Sequence, residues 1–165
     1  TVREVEVIVD LLTEYPHLVA TISCTLRDAG HLSAGQRLEA LADLGTDQVL
    51  ALGVNCCSVE LIPAAIGHLR TCTDKPVIAY PNGGGLWDAS TEQWIPSADG
   101  VPGQPLWTVM LPDAPVPDLV GGCCGTGAGD IALLRRELEK VHHHVSDGDA
   151  LMRGCARGPS PRAAQ

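Results

Sequence analysis

The chain of 165 residues is 45% hydrophobic but only 3% aromatic, has no phenylalanine, and carries a net charge of −9 with a pI near 4.9. This length and apolar content suit a single domain with an aliphatic core. The acidic balance, without a basic stripe, excludes nucleic acid and an anionic membrane as partners.

The N-terminal sequence "TVREVEVIVD" is charged and does not have the pattern of a signal peptide, and no stretch approaches 18 uninterrupted apolar residues. We therefore expect a cytoplasmic protein. Seven cysteines without a secretory signal are more typical of buried, metal-bound or catalytic thiols than of a disulfide framework.

Hydrophobic periodicity predicts helices and strands in alternation. Helical spacing of apolar residues predicts helices at residues 2–15, 37–44, 58–72 (with Ser58 as N-cap) and 128–144. Short β-branched runs predict strands at residues 17–26, 48–56, 75–85 and 117–124. This alternation predicts an α/β fold with βα units on a parallel sheet.

About four βα units form either an open sheet or half of an eight-stranded barrel, and periodicity alone does not choose between them. We expect one domain over residues 1–145, interrupted by an irregular insert at 95–117 whose six prolines exclude a continuous helix. Residues 146–165 form a predicted disordered tail. In a half-barrel the apolar inner strand faces need cover, so we expect self-association or a partner that supplies the missing half.

Three cysteines end two of the predicted strands. Cys56 ends the second strand, and Cys123 and Cys124 end the fourth, so parallel strands would bring them to the same edge of the sheet. Gly121 and Gly122 allow the chain to turn before the cysteine pair. Three thiolates suit Zn²⁺ and leave its fourth position open for catalysis, whereas the alternative interpretation is buried structural thiols.

Four segments carry a resemblance to a known family. "GVNC" (53–56), "YPNGG" (80–84) followed by "WD" (87–88), "TLRDAGHLSAG" (25–35) and "GGCCGTGAGDI" (121–131) resemble the homocysteine S-methyltransferases, above all the branch that uses S-methylmethionine. The resemblance implies a partial (β/α)8 TIM barrel of about four C-terminal βα units. It also implies a zinc ion held by Cys56, Cys123 and Cys124.

The implied activity is zinc-dependent transfer of a methyl group from S-methylmethionine or a similar sulfonium donor to homocysteine, which gives methionine. Betaine-using relatives share the same cysteines, so the donor is left open. Asn82, Thr25 and Asp28 are the candidate substrate-binding residues. The alternative is a non-catalytic zinc-binding remnant or interaction module that lacks the N-terminal half of the barrel.

The sequence departs from the family pattern at three positions. Gly85 stands where a Glu is usual, Ala34 where an Asp is expected, and Ala128 where a Pro is usual. Other chemistry-bearing residues have simpler interpretations. We interpret Cys24, Cys57 and Cys72 as small apolar fillers, and the histidine run at 142–144 as a solvated helix end.

Overall fold

Helices and strands alternate along the chain in the computed structural model, which describes residues 1–84, 86–88, 90–95 and 116–140. The helical segments are α1 (Val2–Thr13), a 3₁₀ helix (Leu38–Leu44), a short 3₁₀ turn (Val59–Leu61) that leads into α2 (Ile62–Arg70), and α3 at residues 128–140. The strands are β1 (Ala20–Cys24), β2 (Leu26–Asp28), β3 (His31–Leu32), β4 (Val49–Asn55), β5 (Val77–Tyr80), β6 (Leu86–Asp88), β7 (Gln93–Ile95) and β8 (Leu119–Val120).

Four of these strands form one parallel sheet in the order β1-β4-β5-β8. They lie within the four strands that the sequence predicts, which confirms the α/β fold class with parallel strands. The remaining strands form two antiparallel hairpins, β2–β3 and β6–β7. The sequence analysis missed both hairpins, because each strand is only two or three residues long.

One face of the sheet packs against the helices. Residues paired in register on parallel strands share a face, and Ile22, Leu52 and Val77 form one such buried row. The first helix adds Val5 and Val9 to this core. The second adds four buried side chains, Ile62, Ala65, Ile66 and Leu69.

The helical segment at 38–44 is a 3₁₀ helix rather than the predicted α-helix. Leu38 and Leu41 are both fully buried, and a spacing of three residues brings side chains onto one line in a 3₁₀ helix. The predicted N-cap Ser58 makes no capping hydrogen bond; its hydroxyl donates to the Glu60 carboxylate instead.

The other face of the sheet is mixed rather than apolar, contrary to the expectation from the sequence. Ser23, Gly53 and Ile78 form a row on this face, and the Ser23 and Tyr80 hydroxyls hydrogen-bond across β4. Asn55 lies in register with Tyr80 on the same face. Leu119 lies in register with Ile78 and is an exposed apolar side chain on this same face. Other exposed large apolar side chains include Val7, Ile8, Leu11, Leu18, Val19, Leu50, Ile131 and Leu133.

Three predictions fall on residues outside those described. They are most of the irregular insert at 95–117, the tail at 146–165 and the histidine run at 142–144. Within the described ranges, the helices are too short or too polar to cross a membrane.

A substitution at Gly53 can test how closely β4 approaches β5. A Cβ at this position would overlap the Ile78 carbonyl and side chain, whereas a Cβ at Gly67 in α2 meets nothing within 4 Å. We expect Gly53→Ala to lower the free energy of unfolding by about 3 kcal/mol or more, because backbone atoms cannot yield. Gly67→Ala is the matched control and should raise it by up to about 1 kcal/mol. Urea denaturation measures both, and equal stability of the two variants would contradict the close packing.

Candidate metal centre

Cys56 follows the last residue of β4 and turns the chain sharply. Its φ of 47° lies in the left-handed region, which non-glycine residues seldom adopt. Its backbone N–H donates to the Tyr80 carbonyl at 3.2 Å, which extends the pairing of β4 with β5 past the strand. Residues held in such backbone conformations cluster at functional sites.

The second cysteine segment follows β8. Gly121 still pairs with β5, since its N–H donates to the Ala79 carbonyl at 3.0 Å. Two residues later, the Cys123 N–H donates to the Pro81 carbonyl at 2.8 Å. The cysteine pair therefore lies beside the turn that follows β5, as the sequence analysis expected for neighbouring strand ends.

The turn after β5 holds both cysteine segments. The Asn82 N–H donates to the Cys57 carbonyl at 3.0 Å, and the Gly83 N–H donates to the Cys124 carbonyl at 2.8 Å. A Cβ at Gly83 would lie 2.6 Å from the Gly125 carbonyl oxygen, so only glycine permits this approach. Backbone contacts, independent of any ligand, thus define the separation of the two segments.

The three predicted ligand sulfurs converge. The Sγ atoms of Cys56, Cys123 and Cys124 all lie within 4.8 Å of one another, and those of Cys123 and Cys124 are 4.0 Å apart. A tetrahedral zinc ion with Zn–S bonds of about 2.3 Å holds its sulfurs roughly 3.8 Å apart. Soft thiolates at this spacing fit zinc, and hard oxygen-seeking cations fit them poorly.

Cys56 and Cys123 are joined as a disulfide, with Cα atoms 5.6 Å apart and a sequence separation of 67. The sequence analysis considered a disulfide framework and bonds within the adjacent cysteine pairs, and it made no prediction for a bond between these two segments. Oxidation joins two thiols that are in contact. All three cysteines can bind one metal ion only in the reduced form.

The other described cysteines lie outside this cluster. Burial raises the pKa of the Cys57 thiol to about 11 and also raises the pKa of Cys24. Cys57 belongs to the hydrophobic core, in agreement with its interpretation as a filler. Cys72 is exposed, so a filler role does not describe it.

Two of the predicted substrate-binding residues, Thr25 and Asp28, have different hydrogen-bond partners. Thr25 follows β1, and its Oγ1 lies 2.6 Å from the Ser33 hydroxyl. Asp28 is engaged within the β2–β3 hairpin. Its pKa falls to about 2, chiefly because His31 Nδ1 hydrogen-bonds to its carboxylate at 2.7 Å. The structure does not bring Asp28 into the sulfur cluster.

Two asparagines flank the sulfur cluster. The Oδ1 atoms of Asn82 and Asn55 are buried and have no hydrogen-bond partner within the described ranges. Buried polar atoms are normally paired, and each of these amide oxygens is free to accept a hydrogen bond. The sequence analysis missed Asn55; its place directly before Cys56 at a strand end was the available signal.

A groove of about 960 Å³ runs beside β1. Its lining includes Val7, Ile8, Ser23, Thr25 and Asn55, whereas the three clustered cysteines do not line it. The groove therefore adjoins the sulfur cluster at Asn55 but is a separate feature.

Thiol reactivity tests the surroundings of these cysteines. In the reduced, metal-free protein at pH 8, we expect iodoacetamide to modify exposed Cys124 far faster than Cys57. At a pKa of about 11, only about one Cys57 thiol in a thousand is ionised at pH 8, and the thiolate is the reactive form. Its rate should rise with pH until about 11. Mass spectrometry of the labelled peptides gives the two modification rates. Equal rates in the folded protein would contradict the burial of Cys57. In denaturant the difference between the two rates should disappear.

Comparison with known proteins gives the family. The model of the family described as homocysteine S-methyltransferase matches residues 1–138. A homocysteine S-methyltransferase of Escherichia coli (strain K12) is 40% identical over 141 residues, which cover 80% of this chain and 43% of that protein. The apo crystal structure of the homocysteine methyltransferase MmuM from Escherichia coli is similar, with a TM-score of 0.62 and 38% identity over 83% of this chain and 46% of that chain. Its metallated form has a TM-score of 0.59 and 39% identity over 81% of this chain and 40% of that chain. The chain thus spans less than half the length of these relatives, and it belongs to the homocysteine S-methyltransferase family.

Proposed function

We propose that this chain carries the metal-binding half of a methyltransferase that moves a methyl group from a sulfonium donor, such as S-methylmethionine, to homocysteine. The convergence of three cysteine sulfurs within 4.8 Å carries the proposal. Membership of the family supports the acceptor, since the relatives are named homocysteine S-methyltransferases.

Zn²⁺ is the proposed ion, with Cys56, Cys123 and Cys124 as its protein ligands. The donor set supports this choice because three thiolates suit zinc, and one solved structure of the similar Escherichia coli protein is of a metallated form. When bound, the ion would act as a Lewis acid that lowers the pKa of homocysteine's thiol. Three protein ligands leave one tetrahedral position for that thiol.

The protein residues position the reactants rather than react with them. In the transfer, a bond forms between homocysteine sulfur and the methyl carbon as the donor's sulfonium–carbon bond breaks, which yields methionine and the demethylated donor. Asn82 lies on the turn that holds both cysteine segments, and Thr25 lines the adjoining groove. We keep Asn82, Thr25 and Asp28 as the proposed substrate-binding residues, with Asp28 already engaged by His31. Correct placement of a nucleophile and its methyl donor provides much of the rate enhancement in such reactions.

The sheet is, in this proposal, half of a (β/α)8 barrel. The chain, with its four parallel strands, aligns with 46% and 40% of two solved homocysteine methyltransferase chains. A second candidate function follows from the same observation: a zinc-binding module without catalysis, since much of a relative's chain has no counterpart here.

Zinc content tests the metal site. The purified, reduced chain should hold about one zinc ion, and Cys124→Ala should release it, because two thiolates bind zinc far more weakly than three. Cys72→Ala is the matched control, since Cys72 is an exposed thiol outside the cluster, and it should leave the zinc content unchanged. Atomic absorption after dialysis gives the stoichiometry. Full zinc retention by a triple Ala variant of Cys56, Cys123 and Cys124 would overturn the assignment.

Methionine formation separates the two candidate functions. The zinc-loaded chain should convert homocysteine and S-methylmethionine into methionine, and Cys56→Ser should reduce the rate to the uncatalysed level by removing a ligand. Chromatography of the products measures the conversion, with the Cys72→Ser variant as an active control. A chain that holds zinc but forms no methionine would support the non-catalytic module.

A further inference from the structure

The last strand of the sheet is bonded to β5 by a side chain as well as by the main chain. This strand, β8, is only two residues long. Just before it, the Asp118 N–H donates to the Val77 carbonyl at 2.9 Å. The Val77 N–H donates in return to Asp118 Oδ2 at 2.7 Å. In a regular parallel ladder this N–H would bond the carbonyl of residue 116, so the Asp118 carboxylate replaces a main-chain acceptor.

Arg70 adds a third attachment from the end of α2. Its guanidinium donates to the same Asp118 Oδ2 at 2.6 Å and to the Val116 carbonyl at 3.4 Å. The hydrogen bond from Val77 lowers the pKa of Asp118, and Arg70 lowers it further, so the carboxylate is charged at neutral pH. The helix α2 is itself packed on the sheet by its four buried side chains. Asp118 and Arg70 therefore form a clamp that joins β8 to both β5 and α2.

The clamp lies at the start of the segment that ends in the cysteine pair. Beyond Asp118, the main chain is bonded to β5 again at Gly121, and at Cys123 it is bonded to the turn that follows β5. Each residue advances a strand by about 3.3 Å and side chains alternate between its faces, so a slip of one residue would turn the cysteine side chains away. Sulfurs around a tetrahedral zinc ion lie only roughly 3.8 Å apart, which leaves no room for such a slip. The register at Asp118 thus decides whether the cysteine pair meets Cys56.

We propose that Asp118, held by Arg70, is a positioning residue of the metal centre, because its carboxylate sets the register of β8 that brings the cysteine pair to Cys56. The inference rests on the proposed function for the identity of the metal. It adds to that function a residue that binds no metal but on which the spacing of the three ligands depends. The approach of the Cys56 and Cys123 sulfurs is a property of the chain itself, and it can be measured without zinc.

The zinc affinity of the reduced full chain, measured by competition with a chelating dye, tests the clamp. Asp118→Ala removes the acceptor for both donors, and we expect zinc to bind at least about tenfold more weakly, as on loss of groups that orient metal ligands. Asp118→Asn keeps an oxygen that can accept from Val77 and Arg70, so it should recover most of the affinity. Glu137→Ala is the matched control, since it removes an ion pair of the same 2.6 Å length, with Lys140, inside α3. It should leave the affinity unchanged.

Two readouts separate positioning from a general loss of stability. Each affinity is measured under conditions in which urea unfolding of the metal-free chain shows the variant to be folded, so a purely stabilising role would leave it unchanged. The visible absorption of bound Co²⁺ reports tetrahedral thiolate coordination, and it should weaken in Asp118→Ala but not in Glu137→Ala. If Asp118→Ala does not fold, Arg70→Met takes its place, because it keeps the Asp118 carboxylate on Val77 while removing the guanidinium. We expect the same changes in Arg70→Met, smaller in size.

The metal-free chain gives a measurement that does not depend on zinc. Oxidised glutathione converts the Cys56 and Cys123 thiols to the disulfide and is itself reduced to two molecules of glutathione. At equilibrium, Asp118→Ala should lower the ratio of disulfide to dithiol at least about tenfold, because the two thiols meet less often. Glu137→Ala should not change this ratio.

Wild-type zinc affinity together with a wild-type disulfide ratio in the folded clamp variant would overturn the proposal. Equal losses in Glu137→Ala would overturn it as well. A wild-type chain that binds no zinc, with the expected disulfide shift in Asp118→Ala, would refute the proposed metal and leave the positioning role of Asp118 supported.

Discussion

Four backbone hydrogen bonds tie the cysteine segments 56–57 and 123–124 to the turn at residues 80–83. These bonds link strand ends that are far apart in sequence, and they involve main-chain atoms alone. The sulfur cluster depends on them, because side chains on mobile loops would not meet at metal-binding distances. The parallel sheet supplies the frame, since it brings the ends of β4, β5 and β8 to one edge.

The three clustered cysteines can exist in an oxidised and a reduced state. Cys56 and Cys123 form a disulfide in the structure, and a reduced cluster offers three thiolates to one ion. Cys124 is the exposed member of the three, so solvent and small thiols reach the cluster from its side. Under the proposed function, the three cysteines would hold zinc and leave one coordination position for homocysteine's thiol.

The two faces of the parallel sheet differ in composition. The helix-facing side of the sheet is filled with aliphatic residues, whereas the opposite side carries the Ser23–Tyr80 hydrogen bond and Asn55. A polar row of this kind suits the lining of a reaction chamber, and a purely apolar row suits a closed core. Leu119, in register with Ile78, adds an exposed apolar side chain to that opposite side.

The sequence alone determined the four parallel strands, the first and last helices and the three cysteines at strand ends, because periodicity and strand direction are local patterns. It did not determine the two hairpins, the 3₁₀ helix at 38–44, the mixed inner face or the buried amide oxygen of Asn55. Those features depend on contacts such as Leu38 with the core and Asn55 in register with Tyr80. The sequence placed Cys56 and Cys123 at the same sheet edge but did not predict the bond between them. Only the tertiary structure decided these features, because hydrogen bonds and packing between distant segments leave no mark on the local pattern of either segment.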